Sequence, residues 1–233
     1  MSNSLIDRVL RWIYPRRCKL CGDVVTLDEE VCELCASVKI IDGEICLKCG
    51  RDISKCECEK NKYSAPYKGF TAPYYFNGTM KKAVYRLKSS GYKELAPAMS
   101  EKIAYAVKLR FPEVEFDCVT YVPMTKSRQR KRGYNQAELL AAETAKCLSV
   151  EMKPLLVKTK DTQSQRLLSA QERSTNLHNA FEIAKNADVS GKTVLLIDDV
   201  KTTGSTLCEC SAVLNTEGAK AVYAAAFTVT DKK

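Results

Sequence analysis

The chain has 233 residues, enough for one ordinary domain and a smaller module beside it. Hydrophobic residues make up 45% and charged residues 28%, which excludes disorder over the whole length. The formal net charge is +9, and the excess sits in residues 65–140, where 14 basic side chains face 6 acidic ones; this suits anionic ligands but does not by itself point to nucleic acid.

No stretch approaches the ~18 consecutive apolar residues of a membrane span. The start, MSNSLIDRVLRWIYPRR, is interrupted by Asp7 and Arg8 and does not read as a secretory signal. A cytoplasmic location is therefore expected. Residues 5–14 read as a short amphipathic helix that docks on a neighbouring domain. Of the twelve cysteines, eight fall between Cys18 and Cys58. With no export signal, metal binding explains them better than a disulfide framework does.

The eight form two sets: Cys18-x2-Cys21 with Cys32-x2-Cys35, and Cys46-x2-Cys49 with Cys56-x-Cys58. Paired knuckles of this kind let backbone amides bond thiolates while four sulfurs close a tetrahedron. Two structural zinc ions in ribbon-like sites are expected; spacing leaves a cross-braced pairing and an iron–sulfur cluster open. So short a segment has too few large apolar residues to build a core, so metal supplies its folding energy.

Residues 59–73 read as a linker and an extended run. Residues 78–110 carry helical periodicity in two parts, broken at Gly91. From residue 116 the rhythm changes. FDCVTYVPM is a buried-strand pattern, 136–148 a helix, and PLLVKT (154–159) a strand. Residues 160–179 are polar and aperiodic, hence a long loop. FEIA, KTVLLIDDV and AVYAAAFTVT are strands, with a helix from about Gly204 to Asn215. Continuous apolar strands alternating with helices imply an α/β parallel sheet covered on both faces. The expected domains are 1–62, the N-terminal helix and cysteine module, and 63–233.

The most informative string is VLLIDDVKTTGST, residues 194–206. An apolar strand ends in Asp198 and Asp199. A loop of small hydroxyl residues follows, and then a helix. The strand end projects two carboxylates into the crevice at the carboxyl edge of the sheet, where they can bond the vicinal hydroxyls of a ribose. Thr202, Thr203, Gly204, Ser205 and Thr206 present backbone N–H groups and hydroxyls at a helix N-terminus, a cradle for a terminal phosphate. The nucleoside-triphosphate pattern G-x-x-x-x-G-K is absent.

This string resembles the motif with which type I phosphoribosyltransferases bind phosphoribosyl pyrophosphate (PRPP). Together with the paired cysteines, TYVPMTKSRQRKRGYNQAELLA (120–141) and QSQRLLSAQERSTNLHNAF (163–181), it makes the whole chain similar to the ComF family. These are competence-associated, phosphoribosyltransferase-like proteins with an N-terminal zinc-binding segment. The resemblance implies a type I phosphoribosyltransferase-like fold with a hood over residues 65–110. It implies PRPP with Mg2+ as ligand, Asp198 and Asp199 as catalytic residues, and a PRPP-binding set of Lys201, Thr202–Thr206, Lys126 and Arg128, the last two on a pyrophosphate loop.

By position, residues 160–179 resemble the mobile lid, with Arg166 and Arg173 closing over pyrophosphate and Asn176 fixing the loop. His178 is read as structural. Arg132, Asn135 and Gln136 either orient a ligand or cap the following helix. Two readings of function remain at this point. One is a phosphoribosyltransferase with an unidentified acceptor, associated with DNA uptake in natural transformation. The other is a non-catalytic, single-stranded-DNA-binding accessory of the DNA-uptake proteins that uses PRPP as a ligand. Neither sets an oligomeric state.

Overall fold

The computed structural model describes residues 15–26, 28–59, 64–89, 91–159 and 180–231. The amphipathic segment 5–14, the domain boundary at 62/63 and the lid positions Arg166, Arg173, Asn176 and His178 lie outside the described residues. The elements, in chain order, are α1 (Glu33–Ala36), β1 (Gly69–Thr71), β2 (Tyr74–Tyr75), α2 (Gly78–Leu87), α3 (Ala96–Arg110), β3 (Cys118–Tyr121), α4 (Lys126–Arg132), α5 (Gln136–Leu148), β4 (Leu156–Lys158), β5 (Phe181–Ile183), β6 (Thr193–Lys201), α6 (Ser205–Thr216) and β7 (Ala221–Val229).

β1, β7, β6 and β3 lie side by side in that order, and β2 joins the same edge of β7 beyond β1. Every pairing in this sheet is parallel. The apolar runs of β6 and β7 are buried on both faces, as a doubly covered parallel sheet requires. Alternation sorts the side chains. Leu195 and Ile197 turn toward the core built with α3 and α5, and Val194 and Leu196 toward the one built with α6. On the first side, Ser100 of α3 donates to the Leu140 carbonyl of α5 at 3.0 Å, so the hydroxyl is satisfied inside the core. Small residues such as Ala137, Ala141 and Ala145 let α5 approach closely.

Two expected elements fold differently. PLLVKT does not join the parallel sheet. The amide of Lys153, just before it, bonds the Val119 carbonyl at the sheet edge, and then the chain turns away so that β4 pairs antiparallel with β5, the FEIA strand. In β4 Leu156 is buried and Val157 exposed, a one-sided pattern that suits a surface hairpin. The segment after Met124 begins not as an open loop but as the helix α4. Thr125 caps it, its Oγ1 accepting from the Arg128 amide at 3.4 Å.

The cysteine module packs directly on the sheet domain. Cys18, Leu20, Cys21 and Cys35 share a core with α2 and α3. Asp23 pairs with Lys82 and Arg86 of α2, both at 2.8 Å, and these contacts, Lys82 foremost, pull its carboxyl down to about 2. On the other side, the Ile41 amide bonds the Pro73 carbonyl at 2.8 Å, and Arg110 donates to the carbonyls of Ile41 and Gly43.

One side chain on α6 is poorly matched to its place. Both Glu209 carboxylate oxygens are buried without a hydrogen-bond partner, beside an apolar groove of about 550 Å³ between α6 and β5. Burial pushes this carboxyl up to about 7, against the opposing charge of Lys158. The folded chain therefore keeps a proton that the unfolded chain releases near pH 4.5. Between those values the folded state binds more protons, so stability should fall as pH rises. Glu209→Gln should flatten that slope and raise stability at pH 8 by about 1–3 kcal/mol, read from urea midpoints at pH 5 and pH 8.

Candidate functional site

β6 carries Asp198 and Asp199 to the carboxyl edge of the sheet. Between that edge, α4 and the start of α5 lies a pocket of about 280 Å³. Its lining includes Asp198, Asp199, Thr206, Thr125, Arg128, Arg132, Asn135 and Gln136, together with Lys88 and Lys158. The floor is Val122, Pro123 and Met124, which end the β3 run.

The acids are held, not merely present. The Asp199 amide donates to Asp198 Oδ1 at 2.8 Å. Asp199 is 9% exposed, and its Oδ2 lies 2.6 Å from Lys88 Nζ. Burial, and then the adjacent charge of Asp199, raises the Asp198 carboxyl well above the usual carboxylate range. Two neighbouring carboxylates facing four cations, Lys88, Arg128, Arg132 and Lys158, make a pocket suited to a ligand with both hydroxyls and phosphate charge.

After Lys201 the chain turns through Thr202 and Thr203, which are exposed, to Gly204 at φ +85°. That left-handed conformation favours glycine, and it starts α6 at once. The Thr203 and Ser205 hydroxyls lie 2.8 Å apart, and the Ser205 amide donates to Thr203 Oγ1 at 3.4 Å. The loop thus presents small hydroxyls at the N-terminus of a twelve-residue helix.

Of the two expected roles, the structure shows Asn135 as the helix cap, and it adds a brace to the backbone. Its Oδ1 accepts from the Ala137 amide at 3.1 Å, capping α5, while its Nδ2 donates to the Val122 carbonyl at 3.0 Å, bracing the pocket floor. Arg132 Nη1 donates to Gln136 Oε1 at 2.6 Å. Of the expected PRPP contacts, Arg128 and Thr206 line the pocket, Thr202, Thr203, Gly204 and Ser205 form the loop leading to Thr206, and two lie elsewhere. Lys126 stands exposed on α4, outside the pocket lining. Lys201 is 2% exposed and turns to the cysteine module, its Nζ 3.4 Å from the Cys49 carbonyl. Lys88 and Lys158 were not singled out by the sequence as site residues. Lys88 follows a helix and Lys158 ends a strand, and no local spacing marks either. Tyr134 fastens the Lys88 segment: its hydroxyl lies 2.6 Å from the carbonyls of both Leu87 and Ser89.

The eight paired cysteines gather as two sets, Cys18/Cys21/Cys32/Cys35 and Cys46/Cys49/Cys56/Cys58, not cross-braced. Within each, all four sulfurs lie within 4.8 Å of one another. Sγ–Sγ separations are 3.6 Å for Cys21–Cys32 and 3.8 Å for Cys49–Cys56. A zinc tetrahedron with bonds of about 2.3 Å has edges of about 3.8 Å, so the sulfurs fit zinc. Burial opposes ionisation of Cys18, but the Cys32 and Cys21 amides outweigh it and bring the thiol down to about 7. Cys46 reaches about 7 by the same opposition, with the Cys49 amide first among the groups that lower it.

Residues 9–65 match the family model of the double zinc ribbon domain, and residues 135–233 that of the phosphoribosyl transferase domain. Competence protein F of Haemophilus influenzae is 40% identical over 118 residues, about half of each chain at 49%. The DNA utilization protein YhgH of Escherichia coli K12 is 30% identical over 184 residues, covering 76% of this chain and 75% of that one. The chain belongs to the ComF family. Competence protein ComFC of Bacillus subtilis adds 31% identity over 157 residues, covering 67% of this chain and 61% of that one. This ComF protein therefore joins a double zinc ribbon to a phosphoribosyl transferase domain.

Two measurements check the site. Metal analysis of the purified chain should give about two zinc ions per chain, and chelation should unfold the ribbons; one zinc per chain would mean that one set is used differently. Asn135→Ala loses the cap and leaves the Val122 carbonyl unbonded, so urea unfolding should show a loss of about 1–3 kcal/mol.

Proposed function

We propose that this ComF protein binds PRPP and transfers its phosphoribosyl group to an acceptor, in a process connected with DNA uptake. The observation that carries the reading is the meeting, in one pocket, of the β6 acids, the start of α6 and the cations of α4. The 5′-phosphate sits on the amides and hydroxyls of Thr202–Thr206. Asp198 and Asp199 bond the ribose hydroxyls. Arg128, with the Thr125 turn, faces the pyrophosphate.

Mg2+ suits this oxygen-rich site and, when bound with PRPP, supplies positive charge to the leaving group. As the bond from the anomeric carbon to pyrophosphate breaks, its electron pair leaves with the pyrophosphate, whose charge Arg128 meets. The carboxylates hold the sugar and stabilise the cationic anomeric carbon. A nitrogen of the acceptor then forms the new bond and loses its proton. For the ribose to bind there, Lys88 must give up Asp199, whose Oδ2 lies 2.6 Å from its Nζ.

Phosphorus NMR of PRPP with Mg2+ and the protein tests this, with an extract of small metabolites as the acceptor source. Protein-dependent release of pyrophosphate is expected. Asp198→Ala with Asp199→Ala should abolish it and weaken PRPP binding at least tenfold, about 1.4 kcal/mol. Unchanged affinity in the double variant would remove the ribose role.

A second reading has its own observation. Five of the seven residues of α4 are basic, none is buried, and the relative in Escherichia coli is named for DNA utilization. A PRPP-binding accessory that holds single-stranded DNA on this face would release no pyrophosphate. Its DNA affinity should fall steeply with salt, and a flat response would count against it.

A further inference from the structure

We infer that Lys201 ties the second zinc ribbon to the phosphate loop, so that metal at Cys46/Cys49/Cys56/Cys58 and ligand at Thr202–Thr206 stabilise each other. The ligand half rests on the PRPP reading above; the metal half does not.

Lys201 is the last residue of β6, one position before the loop, yet its side chain points away from the pocket. Its Nζ donates to the carbonyl of Cys49, a metal ligand, and lies 5.1 Å over the Phe70 ring. Phe70 is itself pinned to the knuckle. Its amide donates to the Leu47 carbonyl at 2.7 Å, and a side chain at Gly50 would collide with its ring. The same ribbon also holds the strand beside the loop. Arg51 Nε donates to the Thr230 carbonyl at 2.8 Å, the Thr230 amide to the Lys201 carbonyl at 3.0 Å, and Thr230 Oγ1 to the Thr202 carbonyl at 3.1 Å. An unbroken chain of bonds therefore runs from knuckle to loop.

The electrostatics act in the same direction. Zinc with four thiolates carries a net charge of about −2. A buried ammonium donating to the backbone of one ligand offsets part of that charge, as outer groups around metal ligands do. The metal closes the knuckle that these bonds only flank, so its loss loosens the Cys49 carbonyl and weakens the acceptor that positions Lys201. By reciprocity, a ligand that orders the loop must tighten the metal.

The test uses the full chain with both sites loaded and follows zinc release to a zinc-selective chromogenic chelator. Two phases are expected, and Cys56→Ser identifies that of the second ribbon. Lys201→Met should speed this phase about tenfold and leave the first unchanged. PRPP with Mg2+ should slow it in the native chain but not in Lys201→Met. Thr230→Val, which cuts the bond to Thr202, should keep the native release rate and lose the PRPP effect. If Lys201→Met does not fold, judged by circular dichroism, Thr230→Val decides. The inference is overturned if Lys201→Met leaves the second phase unchanged or speeds both equally. It is also overturned if PRPP binds by phosphorus NMR yet moves neither phase. Absence of PRPP binding by NMR would sink the functional reading alone, and the tie would then stand or fall on the release rates without ligand.

Discussion

The parallel pairing of β6 with β7 is the constraint on which the molecule depends. It runs from Thr193 to Lys201 against Ala221 to Val229, at the centre of the sheet. A strand buried on both faces has its register set by packing, because a slip of one residue would exchange its two core faces. With Leu195 and Ile197 committed to one core and Val194 and Leu196 to the other, Asp198 and Asp199 can only emerge at the carboxyl edge. The phosphate loop and α6 follow from the same placement. The pocket is thus a product of the sheet's register.

That placement has an electrostatic cost. Two adjacent carboxylates at the end of an apolar strand repel each other and lose hydration. The fold answers from three directions. Lys88 arrives from the end of α2, Arg128 and Arg132 from α4, and Lys158 from the surface hairpin. None of these is close in sequence to the acids. The pocket thus combines opposite charges, with Lys88 paired to Asp199.

The double zinc ribbon solves a different problem. Its residues bury little apolar surface of their own, so metal closes each half. The docked faces are not incidental. Asp23 is held by Lys82 and Arg86 of α2, and the Cys49 knuckle receives Lys201 beside the Thr202–Thr206 loop. The ribbons therefore brace the pocket from two sides.

Local pattern in the sequence determined a good deal. The knuckle spacings announced two four-cysteine sets, the apolar runs announced a parallel sheet, and the acids followed by TTGST announced a hydroxyl-lined turn into a helix start. These are legible because each depends on residues within a few positions of one another. The sequence also placed Asn135 at a helix cap, a short-range matter. It misplaced Lys201, which adjoins the motif along the chain but whose side chain leaves it. It read PLLVKT as one more strand of the sheet, because alternation over three residues does not say which partner a strand takes. It did not find Lys88 and Lys158, whose value lies only in where α2 and the β4–β5 hairpin end in space. Only the tertiary structure decided which cations face the acids and which lysine faces the metal, because charges act through distance in space and the chain fixes distance only along itself.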